Sequence, residues 1–424
     1  GYGMKKLLLF GIGLFLFALL LRLLFVGVFL DINRPLSGDE GAYHGQGIAF
    51  ANWEDKHNGE RPPILGLTLA FFYRFFGEDP SVGRIVNILI SSLSVPALFW
   101  VSLSISRSRY IAVGLSLIWA VYPPSIWYSG WILTETISSL LVLLYLGAVF
   151  AFSGRPTLIH SLLLGALGGL LILNRSVFIF LPLVVLTSHL VSQRFSLVPR
   201  CSLFKYLASL AVLAIVISPW VWKNYDTYSK FIPHSTQGGS LLLMSNGNLR
   251  HPEIQAGKYF KDPELLKQVS NMNPNNDAEI DSISRSIAIK AMMKDPGLLP
   301  EPLVNRFRNF WTARPDPYDP LWTFNDTIMV VIWTPALVMA LVGFFCIRWE
   351  RMWPMLLLLI YSSLMVLPFW GIPRFRFPVD HIVMLMGCYG TMVIWRYLQE
   401  CFMGYPYMSS ILRRFDSECE LPNP

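Results

Sequence analysis

"MKKLLLFGIGLFLFALLLRLLFVGVFL", residues 4–30, decides the fold. The run exceeds the roughly 20 apolar residues that cross a bilayer. It is too long for a signal-peptide core and has no small-residue cleavage site, so it reads as a retained first membrane span. The rest of the chain agrees. Of its 424 residues, 54% are hydrophobic and only 14% charged, whereas water-soluble domains carry about 25% charged residues. An all-α polytopic membrane protein follows.

The same length criterion places spans near 6–30, 84–105, 110–123, 131–153, 158–173, 176–192, 204–222, 326–346, 352–370 and 376–396, about ten in all. With Lys5 and Lys6 in the cytoplasm, alternation puts "SRSRY" (106–110), "SGRPT" (153–157), "SQRFSLVPRCSLFK" (192–205), "IRWERM" (347–352) and the tail after Arg396 on the same side. Each carries Arg or Lys, as the positive-inside rule requires. Both termini are then cytoplasmic, and the two long segments, 31–83 and 223–325, are extracytoplasmic. The expected organisation is an N-terminal membrane part (4–222) containing the first outer loop (31–83), a second outer segment (223–325), a C-terminal membrane part (326–396) and a tail (397–424).

The net charge of +7 is spread between apolar runs, which suits cytoplasmic loops and lipid phosphates and not nucleic acid. The five cysteines, Cys201, Cys346, Cys388, Cys401 and Cys419, avoid both long outer segments and show no CxxC or Cys/His spacing. Neither an outer disulfide framework nor a structural zinc site is expected. No internal repeat is visible, which argues against an inverted-repeat transporter. Within the outer segments, "YHGQGIAFANWE" and "PPILGLTLAFFYRFFG" (62–77) read as helices lying at the membrane surface. "DAEIDSISRSIAIKAMMKDPGLL" reads as an amphipathic helix ending before Pro296, with Ile280, Ile283 and Ile287 on its apolar face.

Chemistry-bearing residues cluster on the outer side. In "GDEGAYHGQGIAFAN" (38–52), Asp39 and Glu40 are followed at i+4 spacing by Tyr43 and His44, which a helix would align. Such carboxylates can belong to a solvated loop, or one can deprotonate a hydroxyl. Glu135, one turn into a span, is expensive there unless it faces a partner or a wet cavity. Arg61 and Arg84 in the first loop, Arg175 between two spans, and Arg374 with Arg376 in "GIPRFRFPVD" place cations outside. Arginine's planar fork suits phosphate oxygens. Asp380 lies just inside the last span.

These residues, in this order, resemble the bacterial branch of the protein mannosyltransferase-like family. That family comprises GT-C fold glycosyltransferases and includes the aminoarabinose transferases. The similarity runs through "RPPILGLTLAFFYRFFGEDPSVGRIVNILISSLSVPALFWVSLSI", "YPPSIWYSGWILTETISSLL", "LNRSVFIFLPL", "SPWVWKNYDTYSKFIPHSTQGG" and "RFRFP", roughly residues 6–390. It implies a GT-C-type transmembrane bundle and an inverting transferase that uses a polyprenyl-phosphate sugar as donor. The acceptor would be a glycan, lipid or protein hydroxyl. Asp39, with Glu40 beside it, matches the family's catalytic base or its partner; Glu135 and Arg175 match its membrane-edge acid and arginine. Arg374 and Arg376 match the pair that would hold the lipid phosphate. The segment 223–325 is too small for the large folded domain of oligosaccharyltransferases.

One displacement suits these groups: the base takes a hydroxyl proton while arginines stabilise the departing phosphate. No cofactor is indicated, although a divalent metal could sit at Asp39 and Glu40. Rival readings are a lipid-linked-sugar transporter or flippase, using Glu135, Asp380 and Arg175, and a non-catalytic envelope-assembly subunit.

Overall fold

A computed structural model describes residues 2–54, 61–319 and 321–403, and these form helices and no strand. The part of the expected tail beyond residue 403 lies outside the described residues, as does His57. The N-terminal part comprises α1 (Tyr2–Phe25), α2 (Glu40–Ala51), α3 (Ile64–Phe76), α4 (Pro80–Ser106), α5 (Arg109–Val121), α6 (Pro123–Ser129), α7 (Thr134–Gly154), α8 (Leu158–Asn174), α9 (Leu181–Arg194) and α10 (Leu203–Tyr228). The second long segment carries α11 (Gly238–Asn246), α12 (Pro252–Gln255), α13 (Pro263–Asn271), α14 (Asp277–Lys294) and α15 (Pro300–Trp311). Helices α16 (Phe324–Cys346), α17 (Trp349–Val366) and α18 (Pro373–Met403) close the bundle.

All ten expected spans are helical, but fewer meet the requirement for crossing a membrane alone. Among the described residues seven helical segments are long and apolar enough, and α5 with α6 makes an eighth if that pair, bent by 53°, is one span. Helix α8 is short at 17 residues, and α17 begins with Glu350 and Arg351 in its first turn. The chain is an integral membrane protein on this count.

The α5–α6 bend follows from Pro123 and Pro124. Tyr122, ahead of them, is extended (φ −64°, ψ 120°), as a residue before proline prefers. Pro124 has no N–H to offer the carbonyl of Ala120. Arg22, fully buried in α1, supplies the missing donor at 3.2 Å and also donates to Ser91 Oγ and Ser125 Oγ, both at 2.7 Å. A cation with no carboxylate partner is thereby held at the negative end of a helix.

Glycines bring two helix pairs into backbone contact. A Cβ at Gly165 of α8 would strike the carbonyl of Ser209 on α10. Cβ atoms at Gly343 and Gly390 would strike the α18 and α16 backbones at Met386 and Met339. Small residues serve this close approach in lipid.

Both long segments lie at one end of the bundle. There Phe50 of α2 meets Trp220 of α10 (ring centroids 6.3 Å apart), and Ser176 meets Ser235 (3.0 Å). Helix α3 is apolar on both sides: it buries Leu65, Leu69, Ala70 and Tyr73 and exposes Leu67, Phe71, Phe75 and Phe76. Helix α14 ends at Lys294, ahead of Pro296 as expected, and its isoleucine stripe, Ile280, Ile283 and Ile287, packs half-buried against Leu243, Val269 and Ala288; the difference is that Asp281 is buried with it. Ala278, Asp281, Ser284 and Ala288 are buried, because the Asp281 carboxylate accepts from the N–H of Gly239 at the start of α11.

Candidate active site

The site begins where Gly38, in the left-handed region (φ +57°), turns the chain into α2. Asp39 is the N-cap and Glu40 the first helical residue. Neighbouring residues on a helix point about 100° apart, so the two carboxylates diverge. Glu40 turns inward and is fully buried. It accepts from Arg34 and Arg84 (both Nη2, 3.2 Å), from the N–H of Ser37 (3.2 Å) and from the N–H of Ile132 (3.1 Å). Arg84, also fully buried, donates onward to the carbonyls of Ile32 and Arg34, both at 2.7 Å. Glu40 therefore knots the first long segment to α4 and to the start of α7.

Asp39 turns the other way and stays 39% exposed. Its Oδ1 accepts from Arg61 and its Oδ2 from Arg374, each at 3.1 Å. Arg374 donates its Nε to Glu135 Oε1 at 2.6 Å, and Arg175 Nη1 lies 3.6 Å from the same oxygen. The result is a row, Arg61–Asp39–Arg374–Glu135–Arg175, drawn from five parts of the chain. Three guanidiniums against two carboxylates leave one positive charge in excess. Within it, buried Arg61 Nε, Arg175 Nη1 and Glu135 Oε2 have no hydrogen-bond partner. Burial alone would raise the Asp39 pKa, but Arg374 and then Arg61 outweigh it and hold the carboxyl below the usual range.

The i+4 pairs sort onto the same two faces. Tyr43, in register with Asp39, lies under the Arg61 guanidinium (4.7 Å). His44, in register with Glu40, turns inward to the Tyr73 hydroxyl (2.8 Å). Burial holds its pKa below the ordinary histidine value, and it does not reach the row.

The structure brings together Asp39, Arg61, Glu135, Arg175 and Arg374, but not Arg376. With α18 starting at Pro373, two residues of helix rotate Arg376 about 200° away from Arg374. Arg376 is fully buried. It pairs with Asp380 (2.8 Å), donates to the carbonyls of Phe310 (2.9 Å) and Thr312 (2.6 Å), and lies over Trp333 (3.8 Å). It thus closes the C-terminal end of α15, where a cation is favoured. Asp380 is occupied by Arg376 and the Tyr122 hydroxyl (2.7 Å). Arg34, which the sequence does not single out, is a partner of Glu40 and stacks on Trp131 (4.2 Å); its place in an ordinary "NRP" loop gives no signal.

A divalent ion shared by Asp39 and Glu40 does not fit. Their carboxylates diverge, four donors saturate Glu40, and two guanidiniums flank Asp39. Among the described residues no three His, Cys, Asp or Glu side chains gather as a metal site.

Solved structures share this architecture. The archaeal oligosaccharyltransferase AglB from Archaeoglobus fulgidus, in complex with an inhibitory peptide and a dolichol-phosphate, superimposes with a TM-score of 0.56 at 13% identity. The apo form of the A. fulgidus enzyme gives 0.54 at 12%. Both matches cover 96% of this chain and 54% of the other, so the chain spans about half the length of those proteins. ArnT from Cupriavidus metallidurans, bound to undecaprenyl phosphate, matches over 90% of this chain and 77% of its own at 15% identity, with a TM-score of 0.41. No protein-family model matches the chain, and no curated protein matches it in sequence.

Proposed function

On the GT-C-type membrane fold that this chain has, we propose an inverting glycosyltransferase acting on the extracytoplasmic side, with both termini cytoplasmic. Its donor is a polyprenyl-phosphate-linked sugar and its acceptor a hydroxyl of a glycan, lipid or protein. The observation that carries this reading is the row itself: a half-exposed carboxylate held between arginines, beside buried donor atoms with no partner.

The chemistry balances on these groups. The acceptor oxygen attacks the anomeric carbon while Asp39 takes the hydroxyl proton. The bond from that carbon to the phosphate oxygen breaks, and its electron pair leaves with the lipid phosphate. Arg374, Arg61 and Arg175 supply the cations that stabilise the charge gathering on that phosphate. Glu135 orients Arg374 from a fully buried position. Tyr43 supports Arg61, while Glu40, His44 and Arg376 hold the walls.

Purified protein in liposomes, given a panel of polyprenyl-phosphate sugars and extracted envelope acceptors, is expected to transfer one sugar with inverted anomeric configuration. Neither transfer nor hydrolysis from any donor, by folded protein, overturns the reading. A second expectation concerns pH. Asp39 works ionised, so activity is present above its depressed pKa and is lost as the pH falls through it. Removing one of the cations that depress it, with Arg61→Gln, moves the acid limb of the rate profile to higher pH. An unmoved limb excludes Asp39 as the titrating base.

A further inference from the structure

The second long segment grips a short turn that leads into the row. Residues 367–372 join α17 to α18 and deliver the chain to Arg374 two residues later. Three groups from the second segment grip that turn. Arg306 of α15 donates to the carbonyl of Leu367 (2.8 Å), and through its other nitrogen to the carbonyl of Ser245 (2.5 Å). It also donates to Asn246 Oδ1 (3.0 Å), while Asn246 Nδ2 donates to the carbonyl of Pro368 (2.7 Å). The Tyr318 hydroxyl lies between the carbonyls of Gly257 (2.7 Å) and Gly371 (3.1 Å), and a Cβ on Gly371 would collide with the backbone of Arg306. Beyond Arg374, Arg376 returns donors to the end of α15. Arg374 is thus bracketed by two attachments to one helix.

We propose that Arg306 is a positioning residue for the transfer, fixing through the 367–372 turn the place of Arg374 between Asp39 and Glu135. Arg306 is fully buried, and all its hydrogen-bond partners are neutral oxygens. Burial pushes its guanidinium down to about 10. For stability alone, an apolar side chain of similar volume serves as well as a buried charge or better. What the guanidinium adds is direction: its fork joins α11, α15 and the turn in one geometry. Displacement of a charge-stabilising group by about 1 Å can cost 100-fold in rate. A device that prevents it is consequential although it touches no substrate.

The inference rests on the transferase reading, and two readouts separate their fates. In liposomes, Arg306→Met is expected to lower kcat about 10- to 100-fold. It also moves the acid limb to higher pH, because a displaced Arg374 no longer depresses Asp39. Without turnover, binding of polyprenyl phosphate weakens about tenfold, and Arg306→Lys restores part of each loss. Tyr318→Phe, which removes one hydroxyl, gives a smaller change in the same direction and decides the matter if Arg306→Met does not fold. Folded variants with wild-type kcat, acid limb and phosphate-lipid affinity overturn the inference. Wild-type protein that transfers nothing overturns the functional reading, and the binding comparison then judges Arg306 alone.

Discussion

Asp39→Asn is expected to stop transfer while leaving the folded protein able to hold its donor. The substitution keeps shape and removes only the proton acceptor. General-base catalysis contributes about 10²–10⁴-fold, and a loss of that size in kcat is the expected result. Binding should not fall with it. Removing one negative charge from a row with one excess cation leaves two in excess, so a lipid phosphate is held at least as firmly. The measurement is a pair: initial transfer rate at saturating donor, and equilibrium binding of polyprenyl phosphate. Turnover within about tenfold of wild type would take the base role away from Asp39. Loss of binding with loss of rate would make it a structural anchor instead.

Its neighbour is expected to behave oppositely. Glu40→Ala leaves the fully buried Arg84 without its carboxylate. It also strands the N–H groups of Ser37 and Ile132 and takes from Arg34 its carboxylate partner. Breaking a buried pair by removing one partner costs about 3–5 kcal/mol. The expected outcome is a large loss of resistance to thermal or denaturant unfolding, with expression falling alongside. The exposed Arg348–Glu350 pair, with side chains 58% and 47% accessible, provides the contrast. Glu350→Ala should change stability by no more than about 0.5 kcal/mol. Equal effects at Glu40 and Glu350 would refute the knot assigned to Glu40.

Much of this architecture is legible in the sequence because bilayer thickness imposes a length on apolar runs. The first span, α10 and the end of α14 just ahead of Pro296 each carry a local signal. The site is legible by residue type and only partly by arrangement. Asp39 and Arg374 stand 335 residues apart, and Arg374 and Glu135 stand 239 apart. No local pattern encodes either meeting. Arg376 groups with Arg374 as long as "PRFRFP" reads as a turn; with Pro373 at the first helical position, the two fall on opposite faces. Asp39 and Glu40 separate for the same reason. Arg22 carries a plain signal, a lone cation in an apolar span, whose partner becomes visible only with the break at Pro123 and Pro124.

That arginine has a consequence for how the chain is made. Apart from the carbonyl of Ala18 in its own helix, its partners arrive late: Ser91 lies 69 residues further on, Ala120 98 and Ser125 103. Until they emerge, α1 carries an unmet charge in lipid that costs about 2.5–3.5 kcal/mol. A helix made before all three partners is thus held in its final place only once the bend at Pro123 and Pro124 has formed to receive its arginine.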